Sequence, residues 1–314
     1  MSTTTTAEAS GFVHAALLYG CEQQYLDQVL PFILDGLALG QPVLVGVPTR
    51  NLAMLRGALG DAAANVAMAD MTEIGRNPAR MLGVMDGFAT EHRDRRVRIV
   101  GEPVWPGRSV DEYAVCVESE ALCNLLFDGC EMTALCPYDT SRLADRALAD
   151  ARMTHPLLWQ SGSTDRCAEF APHDALTRHH RPLVRDAMAV SYTVRAHADL
   201  GSARTFAAHY ARQFGLSRER LESLLLIVTE LASNSLQHAG QPCQLAFWPS
   251  HGHLVCEASD RGCLDDPLAG RRLPSGDGPG GRGLFLVNAV ADLVRMYAAP
   301  TGTTIRAYLR LGFP

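Results

Sequence analysis

The sequence predicts an α/β chain in two parts, a mainly parallel sheet flanked by helices followed by a two-layer α/β sandwich. Three observations carry that prediction. Up to about residue 160, short runs of Val, Ile and Leu alternate with helical patterns. A polar, proline-bearing stretch, "SGSTDRCAEFAPHDALTRHHRPLVRDA" (161–187), then breaks the alternation. Beyond it the style changes to one strand, two helices, a hairpin, a glycine-rich loop, a helix and a last strand. The expected boundaries are a disordered tail over 1–10, a first domain over 11–160, a linker over 161–187 and a second domain over 188–314.

In the first domain, "PVLVGVP" (42–48), "RVRIVGE" (96–102) and "MTALCPYD" (132–139) read as strands buried on both faces. Helical spacing runs through "QYLDQVLPFILDGLAL" (24–39), "PARMLGVMDGFATEH" (78–92) and "DEYAVCVESEALCNLLF" (111–127). In the second domain "VSYTVRA" (190–196) is a strand and "DLGSARTFAAHYARQFG" (199–215) a helix. Ser217 then caps a long helix reaching Ala239. "CQLAFWP" and "HLVCEAS" form a hairpin around His251-Gly252. A helix "LFLVNAVADLVRM" (284–296) and a strand "TTIRAYLRL" (303–311) close the chain, and the sheet is expected to be mixed.

Composition excludes several functions. A hydrophobic fraction of 47% with 20% charged residues describes a folded globular chain. Net charge of -6 gives no general attraction to nucleic acid or to anionic membrane. All 28 basic residues are arginine, which removes P-loop and Schiff-base lysines. Nine cysteines occur without a C-x-x-C pair or zinc spacing. Cys116, Cys123 and Cys130, seven residues apart, read as small apolar fillers, and His14 and His155 as satisfied histidines rather than metal ligands. The N-terminus lacks an apolar signal region and no run approaches a membrane span, so a cytoplasmic protein with reduced thiols is expected.

The chemistry gathers near "ELASNSLQHAG" (230–240). At about 100° per residue, Glu230, Asn234 and His238 share one edge of the long helix, beside the arc of Leu221, Leu224, Leu225, Val228, Ala232 and Ser235 that faces the sheet. Alone, E-x-x-x-N says little, because Glu120 to Asn124 repeats it without a glycine-rich partner. Three groups of residues downstream give it meaning. Asp260-Arg261-Gly262 ends a hairpin strand, where a carboxylate accepts a hydrogen bond and a glycine lets a flat ring approach. Gly278, Gly280, Gly281 and Gly283 precede a helix, whose free N–H groups and dipole suit phosphate. Gly302 and Thr303 begin the last strand and offer a hydroxyl.

These stations, in this order, resemble the Bergerat-type (GHKL) ATPases, and most of all their anti-sigma-factor serine/threonine kinase branch, over residues 188–314. The resemblance implies ATP and Mg²⁺ as cofactors. It implies that Asn234 holds the metal, that Glu230 is the general base for the attacking hydroxyl, and that Asp260 accepts from adenine above Gly262. Gly281, Arg282 and Gly283, with Leu284 next to them, would hold phosphate oxygens, Thr303 would support Asp260, and 264–282 would be the nucleotide lid. Two positions depart from the pattern: Leu264 replaces the second glycine of D-x-G-x-G, and Gln237 stands where a phosphate-binding lysine occurs in histidine kinases. His238 is read as packing or capping the helix end.

In the first domain "HAALLY" (14–19), "GEPVW" (101–105), "ESEALCN" (118–124), "TALCPYD" (133–139) and "THPLL" (154–158) resemble the MEDS sensory domain, which implies a degenerate RecA-like fold. Glu102, Trp105, Glu120, Tyr138 and Asp139 are expected to cluster at strand ends. That cluster is either a degenerate nucleotide or small-effector site or a packed core with capped strands.

The implied function is a transcription regulator of the stress-response type. It would bind Mg-ATP, act as an anti-sigma factor on a sigma factor, and phosphorylate Ser or Thr of a STAS-type anti-anti-sigma partner. The first domain would tune it through a small effector, and the kinase domain would form a homodimer. Two other readings use the same residues. A sensor histidine kinase needs a two-helix segment before the ATPase domain, which 161–187 is too short to hold, and Pro182 follows His179-His180. A non-catalytic docking module would never label a partner.

Overall fold

The computed structural model describes residues 11–274 and 281–312. The expected tail over 1–10, together with Gly278 and Gly280 of the glycine run and part of the expected lid, lies outside the described residues. The chain divides into two compact units at His179/His180, and no described helix is long and apolar enough to cross a membrane.

The first unit runs β1 (Phe12–Tyr19), α1 (Glu22–Ala38), β2 (Val43–Val47), α2 (Thr49–Leu59), β3 (Ala67–Asp70), α3 (Met71–Ile74), α4 (Ala79–Glu91), β4 (Val97–Gly101), α5 (Val110–Leu126), β5 (Met132–Asp139), α6 (Asp145–Thr154), β6 (Leu157–Gln160), β7 (Ser163–Arg166) and α7 (Pro172–His179). Its sheet has the order β3-β2-β4-β5-β1-β6-β7. Every pairing is parallel except β6 with β7. Alternate residues of β1 feed opposite faces. Ala15 and Leu17 pack with Tyr25, Val29, Phe32 and Leu55 of α1 and α2, whereas Ala16 packs with Cys116 of α5 and Ala147 and Ala151 of α6. Cover on both faces is why the strands read as continuous apolar runs. α5 starts where Ser109 and Glu112 cap each other, Ser109 Oγ accepting from Glu112 N at 3.2 Å and Ser109 N donating to Glu112 Oε2 at 2.8 Å.

The stretch expected as a linker departs from that reading. β7 pairs with β6 across Ser161-Gly162, both at positive φ. α7 buries Ala175 and His179. Asp150, almost wholly buried, accepts from Tyr113 Oη at 2.6 Å, Arg178 Nη1 at 2.7 Å and His179 Nε2 at 3.1 Å. β7 is exposed throughout and α7 buries two residues, so neither carries the apolar periodicity by which a strand or helix is read.

The second unit runs β8 (Val190–Val194), α8 (Leu200–Gln213), α9 (Arg218–Asn234), β9 (Cys243–Ser250), β10 (His253–Asp260), α10 (Arg282–Val290), β11 (Leu293–Ala299) and β12 (Gly302–Arg310). The sheet order is β11-β12-β10-β9-β8. All four pairings are antiparallel, so the sheet is not mixed. His251 and Gly252, at φ 45° and 75°, make the two-residue turn that matches strand twist. Ser217 caps α9, its hydroxyl accepting from Arg220 N at 3.3 Å. Ala203, Ala207, Leu224, Ile227, Val228 and Val287 cover the sheet through Leu245, Phe247, Cys256, Ala258 and Ala307.

The helix expected over 284–296 stops at Val290, and Leu293–Ala299 is a strand beside β12. Asp292 anchors the switch, accepting from Arg220 Nη2 at 2.9 Å and from Arg310 N at 2.8 Å. A short apolar run fits either period, and here pairing to β12 decides.

A buried ionic clasp ties this sheet together. Glu257, only 2% exposed, accepts from Arg185 Nε at 2.6 Å and from Arg306 Nε at 2.6 Å, and the Arg306 guanidinium lies 5.0 Å from the Trp248 ring. Removing the carboxylate strands Arg306 in the interior. Glu257→Ala is expected to cost about 3–5 kcal/mol in urea unfolding of the full chain. A loss below about 1 kcal/mol is what a solvated pair would give and would contradict the clasp.

Candidate functional site

α9 buries Leu224, Ile227, Val228, Leu231 and Ala232 and leaves Glu230 and Asn234 half-buried beside that arc. Its last turn, Ser235–Ala239, is π-helical and stops at Gly240, which takes the left-handed conformation. One extra residue in a turn shifts every side chain after it, a distortion frequent at functional sites. Ser235 points inward, donating to Asp260 Oδ2 at 2.5 Å. Ala239 lies against the backbone of Gly262, where an added Cβ would stand 2.5 Å from Ala239 Cβ. His238 is exposed and lines the cavity; the helix is capped by Gly240 instead.

Asp260 ends β10. Its other oxygen, Oδ1, accepts from Gly262 N at 2.8 Å. Each carboxylate oxygen therefore holds one protein donor and keeps a second lone pair. The Thr303 hydroxyl donates to Gly262 O at 2.8 Å. It thus steadies the turn that follows Asp260.

The third station is the start of α10. Gly281, at φ 89°, is its N-cap and Arg282 its exposed first residue. Gly283 faces α9 so closely that a Cβ there would lie 2.6 Å from Glu230 Oε2 and 3.2 Å from both Asn234 amide atoms. The first turn of α10 thus opens beside a carboxylate and an amide that form no hydrogen bond with another described residue. Backbone donors for phosphate oxygens, next to oxygens able to hold a divalent cation, fit a metal-bound nucleotide.

Between the stations lies a cavity of about 470 Å³ lined by Asn234, Asp260, Gly262, Gly281, Gly283, Leu284 and Thr303 among others, a volume within the range of small-molecule sites. Glu230 borders it through Gly283, while Gln237 and Arg282 do not line it. Leu264 does line it, together with Asp265, Asp266 and Arg272, whose guanidinium donates to Asp266 at 2.8 Å. The structure adds Ser235, read from sequence as a core position, and Ala239. A serine hydroxyl buried one residue after Asn234 was the available signal.

In the first unit the expected strand-end cluster separates. Glu102 accepts from Tyr19 Oη at 3.1 Å and Asn51 Nδ2 at 2.7 Å. Burial pushes its carboxyl up to about 7, against the pull of those two bonds and with the push of nearby Asp139. Trp105 lies under the Arg108 guanidinium at 3.5 Å. Glu120 instead sits between His14 and His155, with Tyr138 edge-on to His155.

Residues 13–156 match the family model of the MEDS (MEthanogen/methylotroph, DcmR Sensory) domain. Residues 194–309 match that of the histidine kinase-like ATPase domain. None of the curated proteins matches the chain. Among solved structures, the chain is similar to the RsbU and RsbW domains of Rv1364c from Mycobacterium tuberculosis, at 16% identity and TM-score 0.32. That match covers 40% of this chain and spans only 33% of the other. It is also similar to the SiaB-SiaC complex from Pseudomonas aeruginosa, at 14% identity and TM-score 0.32, over 44% of this chain and 95% of that one. The chain joins an N-terminal MEDS domain to a C-terminal histidine kinase-like ATPase domain.

Proposed function

We propose that residues 188–314 bind Mg-ATP, hold a sigma factor as an anti-sigma factor, and phosphorylate Ser or Thr of a STAS-type anti-anti-sigma protein. Residues 11–160 tune that activity in response to a small effector, and the protein acts in the cytoplasm as a homodimer. The observation that carries the reading is the meeting of Glu230, Asn234 and the Gly283 backbone at the start of α10.

Each residue has a role that its position supports. The Asn234 amide oxygen would hold Mg²⁺, which when bound neutralises phosphate charge. Gly281, Arg282 and Gly283 would donate backbone N–H groups to phosphate oxygens, with Leu284 closing the wall. Asp260 keeps a lone pair for the adenine amino group, Gly262 lets the ring lie flat, and Thr303 and Ser235 hold that end in place. Glu230, facing the same opening, would take the proton of the incoming hydroxyl.

Leu264 in the cavity wall and the absent phosphate lysine at Gln237 favour a second reading, a docking module whose nucleotide site is structural or vestigial. A sensor histidine kinase is disfavoured. Among the described residues, 161–189 hold one helix, α7, of eight residues, and it belongs to the first unit.

Calorimetric titration of the full chain with Mg-ATP tests the site. Asn234→Ala is expected to weaken binding about 10- to 100-fold through the lost metal ligand. Glu230→Ala is expected to bind nucleotide yet fail to label a STAS-type partner. Absence of binding by the unaltered chain would overturn the kinase reading, and binding without labelling would leave the docking module. A second variant separates the two ends of the cavity. Ser235→Ala removes the 2.5 Å bond to Asp260. It is expected to weaken ATP about tenfold, near 1.4 kcal/mol, while inorganic triphosphate binds unchanged. Equal losses for both ligands would show that Ser235 has no part in the adenine end.

A further inference from the structure

A second constellation lies in the core of the first unit and shares no residue with the nucleotide reading. His14 on β1, Glu120 on α5, Cys136 on β5 and His155 after α6 are all buried, and one donor atom from each lies within 4.8 Å of the other three. His14 Nε2 is 3.1 Å from Glu120 Oε2 and 3.5 Å from Cys136 Sγ, and His155 Nε2 is 3.2 Å from the same Oε2. A tetrahedral zinc ion, with bonds of about 2.0–2.3 Å, sets neighbouring N, O and S donors about 3.3–3.7 Å apart. The observed spacings of 3.1, 3.2 and 3.5 Å lie close to that scale.

The hydrogen bonds around the ring decide what kind of centre it is. His155 Nδ1 lies 2.8 Å from Ala151 O. A carbonyl only accepts, so Nδ1 carries a proton, the nearby Thr154 hydroxyl donating instead to Asp150 O, and in the neutral ring Nε2 keeps its lone pair. That Nε2 is fully buried and forms no hydrogen bond, although a carboxylate oxygen stands beside it. His14 is held likewise. The Asn124 amide is oriented by Nδ2, which donates to Glu120 O, Ala121 O and Thr154 O at 3.3, 3.2 and 2.8 Å. Its Oδ1 therefore faces His14 Nδ1, at 3.1 Å, and accepts the proton there. The two inward nitrogens are then both electron-pair donors, aimed at a carboxylate and a thiol. An imidazole whose outer N–H is fixed by a carbonyl or amide oxygen is the usual arrangement around a bound metal.

We propose that His14 Nε2, His155 Nε2, Glu120 Oε2 and Cys136 Sγ bind one divalent transition-metal ion of the zinc class. Binding forms four metal–ligand bonds and expels the Cys136 thiol proton to solvent, leaving thiolate as the ligand. One carboxylate, one thiolate and two neutral imidazoles cancel the charge of a divalent ion, which a dry core requires. Thiolate and imidazole favour zinc or cobalt over magnesium or calcium. Glu120 and Cys136 also wall a cavity of about 30 Å³ beside Met81 and Met85, so the ring is not sealed on every side. The site ties β1, α5, β5 and the end of α6 at one point. The competing occupant is a proton shared between the histidines and Glu120, which needs no thiolate.

The test is a titration of the full chain, freed of metal by a chelator, with Co²⁺ followed by Zn²⁺. The expected result is a thiolate-to-cobalt charge-transfer band with intense visible bands of tetrahedral Co²⁺, saturating at one equivalent and bleached by one equivalent of Zn²⁺. Cys136→Ser is expected to lose the charge-transfer band, and His155→Gln to weaken cobalt at least tenfold. Cys123→Ser, which alters a neighbouring buried thiol outside the ring, is expected to keep the spectrum. No charge-transfer band in the unaltered protein would overturn the proposal in favour of the shared proton. So would a band that survives in Cys136→Ser.

Discussion

The second unit depends on how closely the start of α10 approaches the polar edge of α9. At Gly283 the Glu230 carboxylate occupies the space a side chain would need. That approach sets the first turn of α10, the positive end of its dipole, directly beside Glu230 and Asn234. At the other end of the cavity, Ala239 and Gly262 make a second contact of the same kind. The π-helical turn lies between the two contacts, where the chain passes from Glu230 and Asn234 to the residues that brace Asp260.

Charge is handled in two ways in this chain. Glu257, Asp150 and Asp292 are buried, and each is clasped by arginine with further donors. Those groups fasten elements together: β10 to β12, α6 to α7, α9 to β11. Glu230 and Asn234 sit half-buried at a cavity without such clasps from other described residues, and His155 Nε2 is buried without a hydrogen bond. Polar groups without a protein partner that gather at a cavity or among other donor atoms are where a ligand fits.

Most of the architecture is legible along the sequence because its signals are local. β2, β4 and β5 coincide with the apolar runs, and α1, α4 and α5 with helical spacing to within a few residues. The hairpin at His251-Gly252 and the Ser217 cap are short-range chemistry and fall where expected. The elements that stay hidden depend on partners distant in sequence. Leu293–Ala299 continues a helical pattern and becomes a strand only because β12 lies beside it. β7 and α7 are too polar to show a face. The same contrast holds for function. Asn234, Asp260, Gly283 and Thr303 carry an ordered motif, whereas Ser235 resembles a core filler until Asp260 is placed against it. The His14, Glu120, Cys136 and His155 ring draws its members from four elements, so no spacing announces it.

Whether the end of α9 and the start of α10 act as a single nucleotide site is tested most directly by hydrogen–deuterium exchange of the full chain with and without Mg-ATP. Protection concentrated in 230–240, 260–264 and 281–288, with β8 and α8 unchanged, is the predicted result. Unchanged exchange in 230–240 and 281–288, or protection spread evenly over the second unit, would contradict it.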